Sequence, residues 1–528
     1  MENKKTKIIS IGAVVALALT VITATYAYFN AQVGDPAVAD IKVNANTVDT
    51  FTFSNGSAIS FSINQDNFAS GAGNQTGSTY ASAMLTANNK TNTATEHYYM
   101  YLNIENNTFT YSINTNTPEI IMTVKNSVGN EVTDISTLNH VIVTGANGTQ
   151  VSGYDITNKS GLITLFDNRE ITTTSSKEEK WNITITFVNY DENQNANAGK
   201  SMSAKVMIQK EVIPQVVSDV CSNGTNLATC ITTLANKSIP SATNIYHHDS
   251  SLSNGAGDNS YRYAGASDVV NNFVCFGSNE STCPTDNLYR IIGVFGNNVK
   301  LIKYDYGTTD ELGTDGDYNQ TYKEWGMDST YKGTYGDGER IGVYYWNNTT
   351  QTNTWSESLL NKTNLNTNFI NNIGEEWANK IATTTWKVGG NTYSNIYSKT
   401  PSVVYQNEIV NPVTTNTTDN ATEYTAKIGL MYVSDYGFAA EPSAWTLTIG
   451  NYNNTTATST NWMYMGLYEW TISRNAGHSN SAFFVRYDGS VGRDIVNNSR
   501  AVRPSFSLLS SVTYSKGDGT QNSPIRIN

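Results

Sequence analysis

Between Trp470 and Leu508 the chain reads WTISRNAGHSNSAFFVRYDGSVGRDIVNNSRAVRPSFSL. Three apolar pieces, WTI, AFFV and VRPSFSL, have the composition of strands, and Asp488-Gly489 supplies a hairpin turn between two of them. Phe483, Val485, Val502 and Phe506 are the expected core of this region. Between the strands run Asn, Ser, Arg and His residues with no evident structural task. Side chains between strands face solvent, so Arg474, Asn475, His478, Asn480, Arg486, Arg493, Asn497, Asn498 and Arg500 are candidate ligand-binding residues. The competing reading is an ordinary solvated loop surface.

Upstream, the pattern to about Tyr261 belongs to the same body. Eight of the nine Trp and 23 of the 32 Tyr lie beyond residue 245. LYRIIGVF and VKLIKY, joined across Gly296-Asn297-Asn298, predict a buried hairpin. Leu359, Leu360, Phe369, Ile370, Ile373, Trp377 and Ile381 recur at roughly helical intervals and predict one or two helices. Residues 260–528 therefore read as an α+β domain with long loops. Its aromatic excess (Trp445, Trp462, Trp470, Tyr464, Tyr468) fits a core, or sugar-stacking faces.

The first half reads differently. From about 38 to 213, short alternating strands such as AISFSI, YYMYLNI, EIIMTVK and WNITITFV are separated by Asn/Gly/Ser/Thr turns, which predicts an antiparallel β-sandwich. Trp181, Ile183, Ile185 and Phe187 share one face by period-two alternation. Residues 214–259 break both patterns, with one short helix expected over 226–236 and then a Ser/Asn/Gly-rich run, and read as a linker. The fold class is thus multidomain, an N-terminal all-β sandwich followed by an α+β domain.

Composition narrows the functional classes. Charged residues make up 15% of the 528, and the net charge of −12 opposes attraction to phosphate backbones, so nucleic acid is not an expected partner. Residues 1–27 carry Lys4, Lys5 and Lys7 and then an apolar run, which predicts a signal peptide cleaved after Ala27 or an uncleaved membrane anchor. Both imply export to the cell surface. Four cysteines in two close pairs predict the disulfides Cys221–Cys230 and Cys275–Cys283, since their spacing does not suit a zinc knuckle.

Two resemblances add to this reading. ATYAYFNAQVGDPAVADIKVNANTVDTFTF resembles the export-and-start region of camelysin and the TasA-type biofilm fibre proteins of Gram-positive bacteria, which implies a surface destination and permits self-assembly. In the second half, YRIIGVF, a helical region, WTISR, AFFVRYDGSV and AVRPSF occur in the order found in C-type lectin-like domains of the formylglycine-generating-enzyme-like branch. That resemblance covers about 260–520 and implies that the loops before the final strands carry a binding surface.

Motifs for chemistry are sparse. Asp315, Asp317 and Asn319 alternate as a calcium loop would require, but Gln320 replaces the turn glycine and Gly326 the bidentate Glu of an EF-hand. Calcium is the one cofactor this leaves open. Glu441-Pro442-Ser443 and Trp346-Asn347-Asn348 only approximate the calcium-dependent sugar motifs of lectins. His247-His248-Asp249 offers metal ligands, and His478 a general base beside Ser473 or Ser479, with no orienting carboxylate in evidence. Formylglycine generation needs cysteines late in its domain, and no Cys follows Cys283. The expectation is a non-catalytic, exported cell-surface protein that recognises an extracellular protein or glycan. The alternative is a fibre or matrix subunit, and membrane contact is expected only through the N-terminal segment.

Overall fold

The computed structural model describes residues 49–68, 72–88, 92–326, 328–412 and 422–528. The expected export segment, 1–27, and the start of the first domain lie outside them. The chain divides into two units, 1–213 and 214–528, and is a mostly-β, multi-sheet fold.

Among the described residues of the first unit, ten strands form two antiparallel sheets: β1 (Thr50–Asn55), β2 (Ile59–Ser62), β3 (Gln75–Thr86), β4 (Ala94–Asn107), β5 (Ile120–Asn126), β6 (His140–Thr144), β7 (Gln150–Asp155), β8 (Gly161–Thr173), β9 (Ser176–Phe187) and β10 (Ser201–Gln209). One sheet has the order β1-β3-β9-β5-β7-β6 and the other β2-β10-β4-β8. A single apolar cluster draws on both: Leu85, Met122, Ile183 and Ile185 from the first, Ile59, Met100, Leu102 and Val206 from the second. Trp181, Ile183, Ile185 and Phe187 are all buried, as their alternation predicts. The indole of Trp181 donates to the Tyr98 hydroxyl (2.9 Å), which donates to Glu179 (2.7 Å), so the aromatic pair is buried without orphaning its polar tips. Glu119, fully buried, is ringed by donors from Ser112, Ile113, Gln194 and Asn197, which fastens two loops to one carboxylate.

The second unit begins at once. The segment expected to be a linker is folded: a helix spans Leu227–Lys237, Asn226 caps it by accepting from the Thr229 amide, and Leu227, Ile231 and Leu234 are buried on one face. Strand β11 (Ile245–His248) then pairs with β12 (Ser260–Tyr263). Ser, Asn and Gly here make turns rather than a tether, with Asn254 and Asn259 in the left-handed region. Both expected disulfides are formed, and they indicate an oxidising compartment. Among the described residues no helix is long and apolar enough to cross a membrane.

The main sheet continues with β13 (Phe273–Cys275), β14 (Leu288–Phe295) and β15 (Asn298–Lys303). The expected β14–β15 hairpin turns at Gly296, which has φ +60°. A second sheet has six strands. Its members are β16 (Tyr318–Thr321), β17 (Gly342–Tyr345), β21 (Glu469–Arg474), β22 (Ser481–Val485), β23 (Val491–Ile495) and β24 (Ser499–Ala501), whereas β18 (Thr384–Lys387) and β19 (Glu423–Ala426) make a separate ribbon. The short strands β20 (Ile428–Gly429) and β25 (Ser505–Ser507) complete the main sheet, so that VRPSF delivers Phe506 to the core. The predicted helical region is observed over Leu360–Phe369, Ile370–Asn372 and Glu375–Ala378. Its Asn361, Asn364 and Asn366 are structural: their amides cap the carbonyls of Trp355, Leu312 and Ile428.

Candidate ligand-binding site

A row of four residues runs across the main sheet. Arg262 on β12 and Lys300 on β15 both stand opposite Gly293 on β14, and Ser507 on β25 stands opposite Lys300. Directly paired residues share a face, so the two cations lie side by side with a gap between them. The gap is obligatory, because a Cβ at Gly293 would lie 2.3 Å from the Tyr261 carbonyl.

Above this row is a cavity of about 220 Å³, walled by Phe295, Trp386, Tyr405, Ile409 and Tyr432. Asp435, at the start of a helix over Val433–Phe438, reaches Lys300 at 2.6 Å and Arg262 at 3.6 Å. Arg262 also pairs with Asp258 at 2.6 Å. Lys300 Nζ lies 4.6 Å from the centre of the Tyr432 ring and 5.3 Å from that of Trp386. Burial lowers the Lys300 pKa, and the partnership with Asp435 opposes that fall. The cavity is therefore an aromatic chamber with a charged floor whose charges already neutralise one another. Such a chamber binds flat or apolar surfaces and orients their hydroxyls against a few fixed polar groups.

Behind it lies Glu408, fully buried, which accepts from the Ser473 hydroxyl and from the Ser434 amide at 3.0 Å. Burial pushes its carboxyl up to about 7.

The residues singled out in the opening stretch separate into two groups. Arg474, Asn475 and Arg500 are buried, not solvent-facing. Asn353 explains the loop: its side-chain amide donates to the carbonyls of Asn475, His478 and Ser481 at 2.8–2.9 Å, so the run RNAGHSNS is pinned from inside. Arg500 pairs with Asp494 and lies over Phe484 and Tyr468. His478, Asn480, Arg493 and Asn498 are exposed and Arg486 and Asn497 half-exposed, which leaves six of the nine at the surface.

The remaining candidates resolve similarly. Asp317 is buried and accepts from the amides of Asn348 and Leu360; Asp315 accepts from Asn368, and Asn319 bonds Ser499 and Tyr345. The three serve different partners, and among the described residues no group of three His, Cys, Asp or Glu is placed to hold a metal. His248 is buried with Nδ1 accepting from the Ala256 amide, and burial lowers its pKa to about 2. His247 stacks on Tyr261 with ring centres 4.2 Å apart. Trp445, Trp462 and Trp470 are core, each donating to a backbone carbonyl.

Sequence reasoning missed the chamber, whose residues come from six separate segments. One signal was available: a glycine inside the otherwise bulky strand LYRIIGVF marks a place where something approaches the sheet closely. Neither protein-family models nor curated proteins gave a match to this chain.

Proposed function

We propose that the chain is a non-catalytic, exported cell-surface protein whose second unit, a C-type lectin-like domain, recognises an extracellular protein or glycan, with the first unit, a β-sandwich, as its scaffold. The aromatic chamber over the Arg262–Gly293–Lys300–Ser507 row carries this reading. Its charges are committed to internal ion pairs, so it offers apolar ring faces and a fixed polar floor rather than a free nucleophile. The two disulfides and the order of YRIIGVF, WTISR, AFFVRYDGSV and AVRPSF support the compartment and the domain type.

Thr384, half-buried at the chamber, is the place to test it. Thr384→Trp is expected to fill the cavity and abolish capture of ligands found on glycan and matrix-protein arrays, with melting unchanged to within roughly 2 °C. Capture that survives this change but is lost on replacing His478, Asn480, Arg493 and Asn498 with Ala would move the site to the loop surface.

A fibre or matrix subunit is the second reading. It is favoured by β6, an edge strand of the six-stranded sheet on which Ile142 is 66% exposed. Filaments that form with rising concentration and vanish in Ile142→Lys would support it.

A further inference from the structure

Arg474 is 1% exposed, yet Nη1 and Nη2 have no partner. Only Nε is engaged, donating to the Val388 carbonyl. The other fully buried guanidiniums are provided for: Arg262 by Asp258, Arg290 by Asn272 and Ser267, Arg503 by Glu469. A buried guanidinium with no counter-charge and with both terminal nitrogens unpaired is strongly unfavourable.

Arg474 lines a small cavity of about 10 Å³, together with Trp355, Val388, Glu423 and Tyr424. Trp355 is 1% exposed and its indole N–H is also without a partner. The buried indoles of Trp346, Trp386, Trp445, Trp462 and Trp470 all donate to backbone carbonyls, which makes Trp355 the exception among them. One cavity thus gathers three unused donors, two of them on a cation. The one carboxylate in its lining, Glu423, is exposed and paired with Lys387 across the β18–β19 ribbon.

We infer that this cavity is a binding site for a small monovalent anion, a halide or the oxygen end of a carboxylate, held by Arg474 and the Trp355 indole. Water of the same size would satisfy the hydrogen bonds but leave the charge uncompensated, whereas an anion supplies both. The volume holds about one water-sized group, room for a halide or a single carboxylate oxygen but not for a whole sulfate or phosphate. The Gly390 backbone, in the left-handed region, packs so tightly on Arg474 that a Cβ would fall 2.5 Å from its Cγ, which confines the stem of the side chain.

Bromide is the probe for the halide and acetate for the carboxylate, both on the full chain. Crystals grown in bromide are expected to show an anomalous peak in the cavity within hydrogen-bonding reach of both donors. Melting at constant ionic strength should rise by roughly 2–4 °C as bromide or acetate replaces sulfate. Bromide alone active means a halide site; acetate active as well means that carboxylates enter too. Arg474→Gln should lose the dependence on anion. If that variant does not fold, the unaltered chain still decides: a cavity holding only water, or the Glu423 carboxylate swung onto Arg474, with melting indifferent to the anion, overturns the inference.

Discussion

At the scale of single residues, the second unit is governed by how it treats buried charge. Glu408, Asp435 and Asp258 share a neighbourhood with Arg262 and Lys300, three acids against two bases. Keeping Glu408 protonated balances the set, and its carboxyl is raised from an ordinary 4.5 to about 7, chiefly by burial. The folded state then holds a proton that the unfolded chain has released between those values, so stability is full below about pH 4.5 and falls as pH rises towards 7. Glu408→Gln, which mimics the protonated acid, is expected to match the unaltered protein near pH 4.5 and to exceed it at pH 8 by on the order of 3 kcal/mol. Denaturant unfolding at the two pH values checks this; an unchanged slope against pH would show that Glu408 is ionised in the fold.

Among the elements, amides do what charges do elsewhere. With few charged residues, this chain closes its long loops with Asn. Asn353 takes three carbonyls of the loop between β21 and β22, and Asn364 takes those of Leu312 and Asp315. Asn353→Ala leaves each of those carbonyls with one backbone N–H but removes the side-chain donor they share, and is expected to destabilise the second unit by about 1–3 kcal/mol, read as a lower urea midpoint at unchanged slope. Strands were legible in the sequence because alternation records burial directly: WNITITFV and LYRIIGVF lie where the pattern puts them. The helix around Leu360 was legible for the same reason. The polar runs were not, because Asn and Arg look alike whether they face water or satisfy a buried carbonyl, and only the partner distinguishes them. Arg474 is buried against the Val388 carbonyl and Asn475 between the Ser481 hydroxyl and the Gly477 amide, whereas His478 and Asn480 face water. The chamber was illegible because no local pattern encodes Trp386 meeting Lys300 across 86 positions of sequence.

At the level of the whole molecule, the main revision is that residues 214–259, expected to be a linker, belong to the second unit. The helix over Leu227–Lys237 buries Leu227, Ile231 and Leu234 in the second unit's core, and the Leu227 amide bonds the Val512 carbonyl near the far end of the chain. A fragment of residues 214–528 is therefore expected to melt cooperatively, whereas 260–528 should lose several kcal/mol through uncovered apolar surface and the missing Cys221–Cys230 link. Calorimetry of the two fragments checks this, and equal melting would restore residues 214–259 to a tether. Asn353 has one more consequence. Because a single amide outside the loop grips both of its feet, at Asn475 and Ser481, the span between them is fixed independently of what the crest contains. Foreign peptides grafted between Gly477 and Asn480 would be displayed at a constant gauge, as a cassette riveted to the frame rather than a tail hung from it.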